Sequence, residues 1–173
     1  DKVAISKANL DIAPRFLFAT PGFNVRPTEI AGAFGMHQVL RLEGYIALRR
    51  ANMAFWNKEL AKYGEWLQLP VEAPNTRHVS FAYAVTVKEG APFARKALQD
   101  HLEANGVETR PIEAGAMHLQ PAMKQIKWRQ GGSLKNAEYI HKNGFFWGNH
   151  HGFSQDMREI VVAHVDQFMR RYL

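Results

Sequence analysis

The sequence predicts an α+β fold in which a small sheet is covered by helices. Three observations carry this prediction: an alternating apolar run at Val79–Val87, a strand–helix–strand pattern over residues 79–112, and an apolar helical stripe near the C-terminus. With 173 residues, of which 46% are hydrophobic, the chain is long enough for one domain with its own core. This composition excludes disordered and collagen-like proteins.

The first part of the chain is predicted to be helical after a leading segment of residues 1–26. Within that segment, Phe16–Ala19 fits either a strand or a packed loop. Pro27-Thr28-Glu29 is typical of a helix start. We therefore expect a helical segment over residues 27–64, with a break or bend at Leu42-Glu43-Gly44 and a glycine cap at Gly64.

This helical segment carries glycines next to a broad apolar face. Gly32 and Gly35 each lower helix propensity by about 1 kcal/mol relative to alanine, which indicates that another surface packs closely here. The apolar positions are Ile30, Ala33, Phe34 and Met36.

Residues 65–173 hold the remaining predicted elements. We expect a strand at Val79–Val87 and a helix at Pro92–Asn105 that Gly106 ends. A strand at Val107–Ile112 follows. Further along, the pattern predicts a helix at Leu134–Asn143, a strand at Phe145–Trp147 and a closing helix with Ser154 as its N-cap. The stripe of that helix is Met157, Ile160, Val161, His164, Val165 and Phe168.

Charge and composition restrict the function classes. Twenty-two basic against sixteen acidic side chains give a formal net charge of +6, which favours anionic partners, but the basic residues are scattered. A basic binding module for nucleic acid or another polyanion is therefore kept as the second interpretation. The absence of cysteine excludes disulfides and thiolate sites and fits a reducing cytoplasm. No apolar stretch approaches the roughly 18 residues of a membrane span, so we expect a soluble, cytoplasmic protein.

The sequence contains no short motif that is typical of a metal site or of a phosphate-binding loop. His150 and His151 are adjacent, so their rings point in different directions, and the sequence favours no metal site. Neither glycine-rich phosphate loop occurs.

Three polar groups fall on predicted turns, where functional side chains concentrate. Asn24 and Arg26 stand just before a helix N-terminus, a place that stabilises a phosphate. Asn24 could equally support a turn and Arg26 solvate it. Residues 110–118 and 148–150 form the second and third groups, and for Arg110 and His118 a purely structural role is the alternative.

Together these groups resemble a known enzyme family. The landmarks are Pro21–Ile30, then Gly106–Pro111 with His118–Pro121, then Asn136–Tyr139 through Asn143-Gly144 to Gly148–His150. In this order they are similar to the DegT-type nucleotide-sugar aminotransferases and dehydratases, which are fold-type-I enzymes dependent on pyridoxal phosphate. The segment Pro-Gly-Phe-Asn-Val-Arg-Pro is similar to the corresponding segment of the branch that removes the 3-hydroxyl of GDP-4-keto-6-deoxymannose. The segment His118–Pro121 instead resembles that of the aminotransferases.

The resemblance implies a fold and site roles. The fold would be the C-terminal small domain of such an enzyme: a small, mostly antiparallel sheet covered by helices and preceded by a long helical segment. Asn24 and Arg26 would reach the cofactor phosphate of a neighbouring subunit in a homodimer. Four residues would contact the nucleotide-sugar substrate: Arg110, His118, Asn149 and His150.

The departures from the family are equally informative. In the family, the lysine or histidine that faces the cofactor and most phosphate ligands lie in a large upstream domain that this sequence lacks. We therefore expect no catalytic residue on this chain, no cofactor bound by it alone, and no turnover. We expect the helical segment 27–64 to pack on the missing domain or on a partner subunit, with residues 65–173 forming the small C-terminal domain. Without that cover, the chain should self-associate.

Overall fold

The computed structural model of the chain describes residues 4, 7, 25 and 27–173. The predicted features at Phe16–Ala19, Asn24 and Arg26 lie outside the described residues. The chain divides into two units, Asp1–Leu40 and Arg41–Leu173. The second unit begins inside the predicted helical segment, and a domain boundary at residue 64 stays a prediction.

Helix α1 spans Glu29–Leu60 and is continued by a short 3₁₀ turn, Ala61–Tyr63. It begins after Thr28, whose Oγ1 accepts a hydrogen bond from the Ala31 N–H at 3.3 Å. This satisfies one of the N–H groups that a helix start leaves unpaired, so the predicted start near Pro27 is confirmed within two residues. Gly64 follows the last turn with a φ of −60°, and so it does not act as a left-handed cap.

The predicted break at Leu42-Glu43-Gly44 is wrong, because α1 is continuous through it. A single glycine costs about 1 kcal/mol in a helix, which neighbouring contacts can offset. Glu43 pairs with Arg77, with 2.6 Å between Glu43 Oε2 and Arg77 Nη2. The ring of Tyr45 stacks on His151 at 3.8 Å between centroids. These contacts hold the residues on both sides of Gly44.

The second unit is built on a four-stranded antiparallel sheet in the order β1-β2-β4-β3. The strands are β1 (Leu67–Gln68), β2 (Ala82–Val87), β3 (Thr109–Pro111) and β4 (Gly144–Gly148). The predicted small antiparallel sheet is therefore confirmed. Strand β1 is too short, at two residues, for an alternating pattern to reveal it in the sequence.

Three further helices complete this unit: α2 (Arg95–Ala104), α3 (Lys135–Asn143) and α4 (Gln155–Met169). Gly106, with a φ of +81°, follows α2 in the left-handed conformation that glycine adopts without strain. The Ser154 Oγ accepts from the Met157 N–H at 3.2 Å, as predicted for the N-cap of α4. Two 3₁₀ turns, Met117–Leu119 and Pro121–Lys124, occupy the stretch without clear periodicity.

The hydrophobic core lies on one face of the sheet. Alternate residues of β2 and β4 enter it, and α1, α2 and α4 cover it. Its largest fully buried side chains include Trp56, Tyr83, Phe145, Phe168 and Leu60. On α4 the buried stripe is Val161, Val162, Val165, Phe168 and Met169, whereas the predicted stripe members Met157 and Ile160 are about half exposed. Within the described residues, no helix has the length and apolarity needed to cross a membrane.

Candidate substrate-binding site

A cleft of about 530 Å³ opens on the sheet face opposite the core. Strand pairing places Arg110 of β3 beside Phe146 of β4, and directly paired residues project from the same face. The lining residues are Phe81, Glu108, Arg110, Pro111, Glu113, Phe146 and Gly148. The cleft thus combines aromatic side chains with three charged ones.

Arg110 is the predicted site residue that the structure brings to this cleft. Its Nε and Nη2 donate to Glu108 Oε1 at 2.9 and 2.8 Å. The Arg110 side chain remains 68% exposed. Because one carboxylate oxygen accepts from both donors, the guanidinium is oriented, and among the described residues its Nη1 has no hydrogen-bond partner.

The loop after Arg110 has a defined backbone. Glu113 and Gly115 both have positive φ, at 46° and 69°. The Gly115 N–H donates to the Ile112 carbonyl at 2.9 Å, and Gln120 Nε2 donates to the Ala114 carbonyl at 2.8 Å. A Cβ on Gly115 would collide with the ring of His141. The loop therefore requires glycine at position 115 for both its backbone conformation and its close approach to α3.

His118 follows this loop and is held by α3. Its Nε2 lies 2.9 Å from Glu138 Oε1, and its side chain is 15% exposed. It does not line the cleft that contains Arg110. The structure therefore does not bring these two predicted substrate contacts into one cleft.

Asn149 is buried, with an exposed fraction of 1%. Its Nδ2 donates to the carbonyls of Arg49 and Ser80, both at 3.0 Å. Its Oδ1 accepts from Asn52 Nδ2 at 3.0 Å. Both amide hydrogens are thus used within the chain, and this geometry supports a positioning role for Asn149 rather than the predicted substrate contact.

His150 is exposed, and its Nδ1 accepts from the Gly152 N–H at 3.0 Å. The prediction that the rings of His150 and His151 point in different directions is wrong, because their centroids lie 4.1 Å apart with the planes tilted by 34°. Burial lowers the pKa of His151, and the nearby His150 and Arg49 lower it further. Among the described residues, no group of three or more histidine, aspartate or glutamate side chains is arranged to hold a metal ion.

Sequence reasoning missed Asn52, which links α1 to the third polar group. This side chain is 2% exposed, and its Nδ2 also donates to the His150 carbonyl at 2.9 Å. The sequence did contain a sign of this role, because Asn52 is a polar residue on the face of α1 that also buries Met53 and Trp56. A polar residue on a buried stripe requires a hydrogen-bond partner.

A second missed contact joins α1 to the segment before β2. Arg50 forms two parallel hydrogen bonds with Glu72, at 2.9 and 3.0 Å, and donates to the His78 carbonyl at 2.9 Å. The Arg50 guanidinium and the His78 N–H hold the pKa of Glu72 below its usual value. Partners this far apart in the chain leave no local signal in the sequence.

The family resemblance places a lysine or a histidine against pyridoxal phosphate. In the aminotransferases the lysine amine forms a Schiff base with the cofactor aldehyde, and in the dehydratases a histidine occupies that position. The cleft at Arg110 has neither, and two further clefts of about 360 and 310 Å³ have neither. None of these three clefts of the described residues therefore offers the side chain that faces the cofactor in the family pattern.

Known proteins share this architecture. The structure of the Escherichia coli GDP-4-keto-6-deoxy-D-mannose-3-dehydratase with bound hydrated PLP is similar with a TM-score of 0.75 and 30% identity, over 87% of this chain and 38% of that one. The fold therefore corresponds to part of the fold of that enzyme. The family model for the DegT/DnrJ/EryC1/StrS aminotransferase family matches residues 5–166, and the chain belongs to this family.

Two curated relatives agree with this assignment. The GDP-4-keto-6-deoxy-D-mannose 3-dehydratase of Escherichia coli O55:H7 is 32% identical over 87% of this chain and 38% of its own length. The protein of the same name from Yersinia pseudotuberculosis is 35% identical over 78% of this chain and 34% of its own. The resemblance predicted from the three landmarks is confirmed, and the chain spans little more than a third of these relatives.

Proposed function

We propose that the chain is the C-terminal portion of a pyridoxal-phosphate enzyme that modifies a nucleotide-linked 4-keto-6-deoxy sugar. The reaction would be amination of a keto carbon or removal of the 3-hydroxyl, in deoxysugar or surface-polysaccharide biosynthesis in the cytoplasm. The observation that carries this proposal is the family match over residues 5–166. The high similarity of the fold to a dehydratase structure supports it.

In this proposal, most contacts to the cofactor come from the large upstream domain, and this chain contributes the remaining ones. Pyridoxal phosphate supplies an electron sink for the substrate carbon, and the protein supplies binding and orientation. The lack of a lysine or histidine in the three clefts supports placing the cofactor's main contacts elsewhere. In a homodimer, Asn24 and Arg26 would contact the cofactor phosphate of the neighbouring subunit.

On the substrate side, we assign the first contact to Arg110. Its exposed guanidinium at the cleft suits the diphosphate of a nucleotide sugar, because arginine binds phosphate oxygens through two parallel donors. His118, held by Glu138, would donate to or accept from a sugar hydroxyl. Asn149 would position the segment that presents the exposed ring of His150.

Turnover by the complete polypeptide tests this proposal. The gene product that includes the region upstream of Asp1 would be incubated with pyridoxal phosphate, glutamate and GDP-4-keto-6-deoxymannose, and the products identified by mass spectrometry. We expect an amino sugar or a 3-deoxy sugar from the complete polypeptide, and no product from the 173-residue chain. Absence of both products with all nucleotide-linked keto sugars tried would contradict the proposal. An upstream lysine at the cofactor position would favour amination, and a histidine dehydration.

Cofactor binding by the 173-residue chain gives an independent check. We expect no stoichiometric absorbance band of pyridoxal phosphate and no lysine labelled after borohydride reduction. A labelled lysine of this chain would show that it carries a cofactor site of its own.

The alternative of a polyanion-binding module has less support. Several basic side chains of the described part are paired with carboxylates, which reduces the charge that they offer to a polyanion. The pairs include Arg50–Glu72, Lys62–Asp166, Arg77–Glu43, Lys96–Asp100 and Arg110–Glu108. Salt-dependent binding of DNA or RNA at physiological ionic strength would favour the module, and absence of binding at low salt would exclude it.

A further inference from the structure

One loop region of the second unit carries a strong positive charge. No aspartate or glutamate occurs between Glu113 and Glu138. Every lysine and arginine of that stretch is exposed, and these are Lys124, Lys127, Arg129 and Lys135. Among the described residues none of them forms an ion pair, in contrast to Arg50, Arg77 and Arg110. Their charge is therefore available to an anionic partner.

The same region exposes large apolar side chains. Ile126 and Trp128 alternate with the cations in the sequence and are 58% and 45% exposed. Met117 and Leu119, in the 3₁₀ turn that precedes them, are about half exposed. The ring of Trp128 lies 6.5 Å, between centroids, from the ring of His118 in that turn. The two segments thus meet at Trp128, and we call residues 117–135 the basic loop.

This combination of charged and apolar side chains fits the surface of a membrane with anionic lipids. Lysine and arginine are attracted to anionic headgroups, and tryptophan is enriched at the level of the headgroups. Apolar side chains beside them gain free energy when they enter the boundary between headgroups and acyl chains. The basic loop provides all three kinds of side chain in one exposed segment.

A nucleic acid fits the basic loop less well. Proteins that bind single strands stack successive bases on several aromatic rings. Trp128 is the one phenylalanine, tyrosine or tryptophan between Glu113 and Glu138. The other large exposed apolar side chains of the loop are not aromatic and offer no ring for stacking. The side chains therefore favour a lipid surface over a nucleic acid.

We propose that the basic loop docks the protein reversibly on an anionic phospholipid surface. The four cations contact headgroup phosphates, and Trp128 and Ile126 enter the boundary between headgroups and acyl chains. The contact is peripheral and needs no spanning helix, in agreement with the helices of the described residues, none of which could cross a membrane. This inference goes beyond the proposed function and does not depend on it.

Vesicle binding by the complete polypeptide, which includes the region upstream of Asp1, tests the proposal. The vesicles are phosphatidylcholine alone or its equimolar mixture with phosphatidylglycerol, and bound protein is separated by sedimentation. We expect saturable binding to the anionic vesicles only, and weaker binding in added salt, which screens the attraction. The 173-residue chain is measured in parallel. Its indole emission should shift to shorter wavelength on binding, and Trp128→Gln should remove that shift, since its other tryptophans are buried or half-buried.

Two variants of the basic loop have matched controls outside it. Lys127→Gln should weaken binding to anionic vesicles about fivefold, which corresponds to about 1 kcal/mol for one cation near the surface. Lys58→Gln removes the same charge from α1, where Lys58 is 83% exposed, and should have little effect. Trp128→Gln should weaken binding without changing its salt dependence. Val71→Gln, at an exposed apolar residue outside the loop, should leave binding unchanged.

Several results would overturn the proposal. Equal binding to neutral and anionic vesicles would remove the role of the lipid charge, and equal effects of Lys127→Gln and Lys58→Gln would remove the role of the loop. Tighter binding of single-stranded RNA than of anionic vesicles, at one salt concentration, would assign the loop to nucleic acid instead. Binding by the 173-residue chain but not by the complete polypeptide would show that the loop is covered in the whole protein.

Discussion

The two ends of helix α1 carry similar side chains in opposite environments. Ile30 and Phe34, in the first unit, are 74% and 71% exposed, whereas Met53 and Trp56, in the second unit, are 6% and 0% exposed. Both pairs are large, apolar and part of one helix. The difference shows that an apolar pattern predicts which face of a helix is available for packing, and that the surrounding chain decides whether the face is buried.

The largest change in the free energy of unfolding is expected when one aromatic ring is removed at the buried end of α1, and the exposed end provides the comparison. Trp56→Ala removes a side chain that packs against Tyr83, Trp147 and Phe153, and should lower the free energy of unfolding by about 3–5 kcal/mol. Phe34→Ala should change it by less than about 0.5 kcal/mol. Urea unfolding of both variants measures the difference. Equal losses would mean that Phe34 is as deeply buried in solution as Trp56.

A smaller effect is expected from the buried amide of α1. Asn52→Ala leaves the Asn149 Oδ1 and the His150 carbonyl without this donor, and should lower the free energy of unfolding by about 1–3 kcal/mol. Asn136→Ala is the control, because Asn136 is exposed on α3 and should have little effect. Thermal unfolding would compare them, and a neutral Asn52→Ala would disprove the positioning role of this amide.

The ion pairs of α1 predict a pH dependence. Because the folded pKa of Glu72 is lowered, its stabilising contribution is present above its usual value of 4.5 and is lost as pH falls through the folded pKa. Glu72→Gln should therefore flatten the decline in unfolding free energy on acidification. The pKa of Glu43 is also lowered, by Arg77, but this pair is 72% and 58% exposed, so Glu43→Gln should have a smaller effect that added salt removes. An identical acid profile for the wild type and Glu72→Gln would contradict this.

The smallest effect on stability, with the clearest effect on assembly, is expected at the exposed end of α1. Phe34→Glu should leave the unfolding free energy unchanged and reduce the self-association that the exposed apolar residues favour. Val71→Glu changes an equally exposed apolar residue of the second unit and should leave association intact. Sedimentation velocity measures both, and a monomeric wild-type chain would argue against self-association.

The sequence predicted most elements of the second unit because their signals are local. The alternation around Val85, the cap at Ser154 and the stop at Gly106 each depend on a few neighbouring residues. The predicted break near Gly44 failed for the opposite reason. Contacts from Arg77 and His151, which are distant in the sequence, hold the helix on both sides of that glycine.

The candidate site shows the same division. Arg110 was recognised from its turn and its family landmark, and it does lie at a cleft. Glu108 and Phe146 fall within the family landmarks but were not singled out as site residues, and Phe81 lies outside the landmarks. The pairing of strands brings all three to one cleft. Asn149 was recognised as a landmark, yet its amide is used by carbonyls of two distant segments. These hydrogen bonds of Asn149 could not be predicted from the sequence, because the carbonyls that accept them are distant along the chain.

By itself, the sequence determined the family and most elements of the second unit, since periodicity, capping and turn chemistry act over short distances. The tertiary structure alone decided which polar side chains are used inside the fold and which remain available to a ligand. That outcome depends on burial and hydrogen-bond partners from remote segments. It is the reason why Asn149 and Arg110, both predicted as substrate contacts, differ in what they can still bind.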